Sequence, residues 1–405
     1  MNQPNPFTHN RIPFSGLLPG LFLLILLSQG LVALAAPAPG NPRPLRPDPE
    51  ILKGIDLIYE RQFKEAEEVF RSIIDRQPDE PAGHFYLAMV SWSRLAAGFW
   101  SPGSVKTFEW RIDRAIEAAR TRIEKHLIDS YDFFYLGGAL GFKGRFELMK
   151  NNWISSFFLA KDAVNALKTC IKMDPDNKDV LFGIGTFDYY TARFSGIKKF
   201  LAYLLLHEGN KEEGLRKLTI ASKEAIYSAT EAKSMLLHIY LFFEAEYGKA
   251  LDLARQLAKE YTHNPRFKVL EGVACVRMGM EEGWREIVRE LRCRAGEARS
   301  LKEAGIWKRK ALYLESIYDL YHSRTYDARY KLQEILDQAD AEHDPAMIAW
   351  PMLKIGMSYD LEKNRNMAVS YYRKVLNMEN GAGAQVLVER FLESPPGPGN
   401  PFLGY

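Results

Sequence analysis

Cysteine is scarce in this chain: its 405 residues contain three, Cys170, Cys275 and Cys293. An odd number cannot all pair within one chain, and no C-x-x-C occurs, so neither a disulfide scaffold nor a zinc site is supported. One bridge, Cys275–Cys293, stays open for an oxidising compartment. Charge of one sign is also lacking. Lys and Arg number 54 against 51 Asp and Glu, which leaves +3, or +2 once the single cation Arg11 is removed with a leader. That balance argues against the concentrated basic surface of a nucleic-acid binder. Clustered histidine is missing too, for His9, His84, His126, His207, His238, His263, His322 and His343 are scattered. None has the i, i+4 partner of a metal-binding helix. His207-Glu208 begins like H-E-x-x-H, but position 211 is lysine. Gly183-Ile184-Gly185 has the start of a dinucleotide loop, yet Asp188 stands where the third glycine belongs and no strand precedes it. With no G-x-S-x-G and no phosphate-loop G-K-S/T, the expectation is a protein that is not an enzyme and holds no cofactor and no metal.

What is present begins with an apolar leader. Arg11 is followed by the run Leu17–Leu27, then Ser28-Gln29-Gly30 and the small residues Ala33-Leu34-Ala35-Ala36. This order fits a signal peptide over 1–35, cleaved after Ala35 in preference to Ala36. The clean run is shorter than the roughly 20 apolar residues of a spanning helix. An uncleaved segment anchored to the inner membrane is the alternative to export into the periplasm or cell envelope. A Pro-rich stretch over 36–49 reads as an extended linker, and 394–405, with Pro395, Pro396, Pro398 and Pro401 among glycines, as a loose tail. Between them, 50–393 runs without another shift in composition.

The clearest pattern in that region lies near its end. Gly356, Tyr359, Ala368, Tyr372 and Val375 follow one another at offsets of three, nine, four and three residues. The spacing resembles the tetratricopeptide repeat, a 34-residue helix–turn–helix unit in which small residues let two antiparallel helices cross closely. The resemblance implies an all-α fold, a right-handed α-solenoid of stacked helix pairs. Aligning on the small residue of each second helix extends it into a ladder of about eight units. Gly54, Ala66, Phe70 and Pro78 mark the first and Leu87-Ala88 the second. Gly137, Ala163, Leu167, Cys170 and Pro175 mark the third; Gly185, Gly214, Leu218 and Ala221 the fourth; Leu237, Ala250, Ala254 and Leu257 the fifth. A degenerate sixth runs through Trp284, Val288 and Leu291, a seventh through Ser316, Ala328, Leu332 and Ile335, and 384–392 has the apolar spacing of a capping helix.

Units two to four exceed the repeat length, with extra chain at 98–107, 141–156 and 191–210. Insertions in a solenoid project from one face and serve binding, or else lengthen helices and pad the core. The resemblance places the groove positions on the first helix of each pair. They fall on Phe85, Met89 and Trp92, on Phe182, Tyr189 and Tyr190, and on Met235, Phe242 and Phe243. Lys143, Arg145, Lys150, Lys198 and Lys199 of the inserts would form its rim. The Lys and Asn residues that clamp a peptide carboxylate are missing from these positions. An apolar groove this long exceeds the patch soluble proteins ordinarily expose, so it is either filled by the protein's own inserts or occupied by an apolar ligand or amphipathic helix.

The layout of the middle, with Gly209, Glu212-Glu213-Gly214-Leu215 and Glu231-Ala232, is similar to a bacterial repeat family distantly related to eukaryotic tetratricopeptide repeat 39 proteins. That likeness covers about Asp132–Arg277 and implies a scaffold. The function expected is therefore protein–protein scaffolding through the aromatic groove, with a protein or peptide partner. The alternative is a carrier or sensor of a hydrophobic small molecule or lipid in an enclosed helical cavity.

Overall fold

A computed structural model describes residues 47–125, 129–150, 152–193 and 209–397. The leader over 1–35, Lys198 and Lys199, the run 200–206 and the end of the tail lie outside the described residues. The described residues form seventeen helices. Eight antiparallel pairs follow in order: α1 (Pro49–Tyr59) with α2 (Phe63–Arg76), α3 (Pro81–Ala96) with α4 (Pro102–Glu124), α5 (Ser130–Met149) with α6 (Trp153–Met173), and α7 (Val180–Thr191) with α8 (Lys211–Glu224). Next come α9 (Ala229–Phe242) with α10 (Tyr247–Glu260), α11 (Pro265–Arg277) with α12 (Glu281–Glu297), α13 (Leu301–Tyr321) with α14 (Thr325–Asp337), and α15 (Ala346–Leu361) with α16 (Arg365–Leu376). The helix α17 (Ala384–Glu393) covers the last pair. The chain is an all-α helical-repeat solenoid.

Local chemistry sets the helix starts. Asp48, Ser101, Asp129 and Asn264 accept hydrogen bonds from the first free amides of α1, α4, α5 and α11. Pro49, Pro81, Pro102 and Pro265 occupy first helical positions, where a missing N–H costs nothing. Among the described residues, the turn inside six of the eight pairs carries one residue at positive φ: Arg61, Gly98, Ala245, Gly279, Ser323 and Lys363. Two of the six are glycine, so four turns hold a side chain in the left-handed region, at about 1 kcal/mol each.

Close approach at the crossings comes from small residues. A Cβ on Gly356 would lie 2.5 Å from the Tyr372 ring. In the fourth pair, a Cβ on Gly214 would lie 2.6 Å from the backbone N of Tyr189, and one on Gly185 would lie 2.9 Å from the carbonyl O of Gly214. Backbone cannot step aside as a side chain can, so that crossing tolerates glycine alone. Around the crossings, Ala66, Phe70, Cys170, Leu218, Ala254, Ala328, Ala368 and Tyr372 are all fully buried.

Two sequence expectations change form. The extra chain at 98–107 and 141–156 is not a pair of projecting loops. It lengthens α4, α5 and α6 to 23, 20 and 21 residues. Its apolar residues continue the helical period, so they extend helices instead of breaking them. The array also coils back on itself. Gly98 in the α3–α4 turn packs against Ala346 and Ala382, and α1 meets the fifth pair. There Asn264 Nδ2 donates to the Tyr59 carbonyl at 2.8 Å, and the His263 amide to Glu60 at 2.8 Å. The Tyr261 hydroxyl donates to Asp56 at 3.2 Å, and the Tyr59 and Tyr261 rings lie 5.2 Å apart.

Gly356→Ala is expected to lower stability by about 1–3 kcal/mol through overpacking against Tyr372, read as an earlier urea midpoint. Lys363→Gly is expected to do the opposite, raising stability by about 0.5–1 kcal/mol as the left-handed strain is released. Asn264→Ala removes both a helix cap and the bond to Tyr59. It should cost about 1–2 kcal/mol and speed hydrogen exchange of the α1 amides specifically.

Candidate functional site

The first helices α3, α5, α7 and α9 lie next to one another and share an inner face rich in aromatic residues. On it Trp92 meets Phe142 at 5.5 Å and Phe108 at 5.6 Å between ring centroids. Phe85 packs on Phe134, Tyr135 and Phe142. The Arg145 guanidinium stands 5.1 Å above the Trp92 ring. Farther along, Tyr190 meets Tyr189 at 5.3 Å and Phe243 at 6.2 Å, and its hydroxyl lies 3.6 Å from the Met235 sulfur. Phe242 packs edge-on against the His238 ring at 4.8 Å.

Burial divides the nine expected groove residues. Phe85, Met89, Trp92, Tyr189 and Met235 are core residues, already covered by their neighbours. Phe182, Tyr190 and Phe242 are half-buried, and Phe243 is 43% exposed. The structure thus places five of the nine inside the protein and leaves four with accessible surface. Of the expected rim, Lys150 is held by Glu109 at 2.8 Å and by Glu147 at 3.0 Å, while Lys143 pairs with Asp113. Arg145 is exposed above Trp92.

Three residues of this face escaped the sequence reading. Arg193 sits 5.0 Å over the Phe243 ring and pairs with Glu244 at 3.3 Å; in the sequence it lies inside an insert. His238 is half-buried beneath Phe242. Phe142 comes two helical turns after Tyr135, a periodicity that becomes visible once α5 is extended to Met149.

Cations tune the electrostatics of this face. Burial pushes the His238 imidazole down to about 3, helped by Arg266 and Arg145. The Arg266 guanidinium lies 3.4 Å from His238 Nδ1. Burial raises the Tyr190 hydroxyl, while Arg145 and Arg193 pull it the other way. Burial would also raise the Glu244 carboxyl, but hydrogen bonds from Lys211 at 2.9 Å and Tyr189 at 2.7 Å outweigh it and hold Glu244 low. Such a face can hold an apolar side chain against aromatic rings and place an anionic group near arginine. No cluster of three or more potential metal ligands occurs among the described residues.

No family model and no curated protein matches the chain, so the likeness of the middle region to tetratricopeptide repeat 39 proteins gains no support there. Among solved structures, the chain is similar to the tetratricopeptide-repeat domain of P58(IPK), at 15% identity and a TM-score of 0.21. The likeness covers 85% of this chain and 89% of that one.

Because folding holds the His238 pKa below its ordinary value, the contribution to stability is present above about pH 6.5 and is lost as pH falls toward 3. Within that window the slope from this group is about 1.4 kcal/mol per pH unit. His238→Phe should remove this part of the acid sensitivity. In the wild type, the His238 ring resonances should not move between about pH 8 and about pH 5.

Proposed function

We propose that this protein is a non-enzymatic scaffold that binds a protein or peptide partner through the accessible part of its inner face. The observation that supports this most directly is Phe243, a large apolar side chain left 43% exposed between Tyr190 and Arg193. Aromatic and arginine side chains of this kind are the usual anchors of protein interfaces. Helical arrays present long surfaces of this sort to partners, and the repeating pairs here supply rigid positions for them.

The reading includes a place of action at the cell envelope, reached by export and removal of residues 1–35. The mature chain is then expected to begin at Ala36, which N-terminal sequencing of the purified protein from its own cells would establish. A chain that still begins at Met1 and fractionates with membranes would replace export with an anchor.

Affinity capture tests the binding surface. Tyr190→Ala/Phe243→Ala removes two accessible rings and spares the fully buried Tyr189. Captured partners should fall about tenfold, roughly the 1.4 kcal/mol lost with one anchor. Unchanged partners in a folded double variant would sink the inner face as the binding surface. A tightly held lipid extracted from the purified wild type would favour the carrier reading instead.

A further inference from the structure

A second concavity, of about 450 Å³, opens where α2, α3 and α4 meet. It shares none of the accessible residues Phe182, Tyr190, Phe242 and Phe243. Half-buried Ile74 supplies apolar surface within it over the buried Leu87, and Trp110, Arg71 and Arg114 line it as well. Trp110 is 63% exposed, the most exposed tryptophan among the described residues. Leaving an indole in water forgoes about 2 kcal/mol or more of burial energy, and the packing of the three helices does not require it.

Charge in the cleft is unbalanced toward the cations. The Glu67 carboxylate accepts both prongs of Arg111, at 2.9 and 3.0 Å, and lies 3.5 Å from Arg71. Burial would raise the Glu67 carboxyl, yet Arg111, Arg71 and Arg94 together hold it low. Three guanidinium groups therefore act on one carboxylate. Arg111 is buried, and it is saturated further by Ser91 Oγ at 2.8 Å and the Leu87 carbonyl at 3.4 Å, so it forms a fixed floor. Arg71 and Arg114 are different, with 58% and 49% of their side chains exposed. Among the described residues, Arg114 pairs with Glu117, itself 62% exposed, at 2.6 Å. Surface pairs of this kind are worth about 0–1 kcal/mol and exchange readily for an incoming carboxylate held bidentately. Asp75 is the opposing carboxylate of the cleft, and His84 is turned to the Pro78 carbonyl at 2.9 Å.

We propose that this cleft docks an acidic linear segment of a partner protein, seating an aliphatic or aromatic side chain on Trp110 and its Asp or Glu neighbours on Arg71 and Arg114. Half-buried Ile74 beside the exposed Trp110 matches a hydrophobic side chain, and the exposed Arg71 and Arg114 match its acidic neighbours, so the occupant is taken as a peptide and an anionic polysaccharide is an outcome of the test.

The test uses the full mature chain and three probes. These are a labelled Glu-Glu-Leu-Phe-Glu-Glu peptide, its counterpart with lysine in place of glutamate, and polygalacturonate. The acidic peptide should bind at least about tenfold more tightly than the lysine peptide, and binding should weaken as salt rises from about 50 to about 300 mM. Arg71→Glu/Arg114→Glu, both at exposed positions, should reverse the preference. Trp110→Ala should weaken binding about fivefold without abolishing its salt dependence. Tyr190→Ala/Phe243→Ala should bind the acidic peptide as the wild type does, which separates this cleft from the inner face. Equal binding of the two peptides, binding of neither, an unchanged Arg71→Glu/Arg114→Glu variant, or binding of polygalacturonate in place of the peptide would each overturn the proposal.

Discussion

Everything in this fold rests on how closely the two helices of each pair approach. Where Gly356 meets Tyr372, or Gly214 meets the backbone of Tyr189, no atom of an added Cβ would find room. Such contacts set the separation and crossing of the pair, and the pair sets the direction in which the next is stacked. A three-residue turn with one left-handed residue repeats the instruction at Gly279, Ser323 and Lys363. Its strain is small beside the apolar surface that neighbouring pairs bury against each other.

Coiling then decides what the inner face can do. Because α1 reaches the fifth pair and the α3–α4 turn reaches Ala346, the array is drawn tight. Residues that would line an open groove in a looser solenoid become core, as Phe85, Met89 and Trp92 have done. Polar groups secure the closure. Buried Asp179 accepts from the amides of Tyr227 and Ser228, at 2.8 and 2.7 Å, and from the Tyr131 hydroxyl at 3.2 Å. A single carboxylate thereby ties the α8–α9 turn to α5 and α7, and a buried group with three donors is well satisfied.

The same logic governs charge. The chain is close to neutral, yet its cations are distributed unevenly. Arg309 and Lys310 share Asp344 in the interior, at 3.2 and 2.9 Å. Arg122 is buried between Asp132 and Glu80. Arg71 and Arg114, in contrast, lie at the surface beside an exposed indole, and Arg145 and Arg193 lie over aromatic rings. Arg122 and Arg309 are buried and hold carboxylates inside the fold, whereas Arg71, Arg114, Arg145 and Arg193 are exposed.

The number of pairs, the capping helix and the small residues at the crossings were legible in the sequence, because each follows from local spacing: period 3.6 and a small residue at a fixed offset. Gly356 and Ala368 needed no partner beyond their own unit to be recognised. Exposure was not legible. Tyr189 and Tyr190 are neighbours in sequence and both aromatic, yet one is fully buried and the other borders an accessible surface. Nor did any spacing bring Arg71, Trp110 and Arg114 to one cleft, or Tyr59 to Tyr261. Local pattern determines which helices form and which pair, since those contacts are made within a few tens of residues. How far the array coils, and so which of its aromatic and cationic side chains remain free to bind, depends on contacts between residues some 200 apart, and only the tertiary structure decides them.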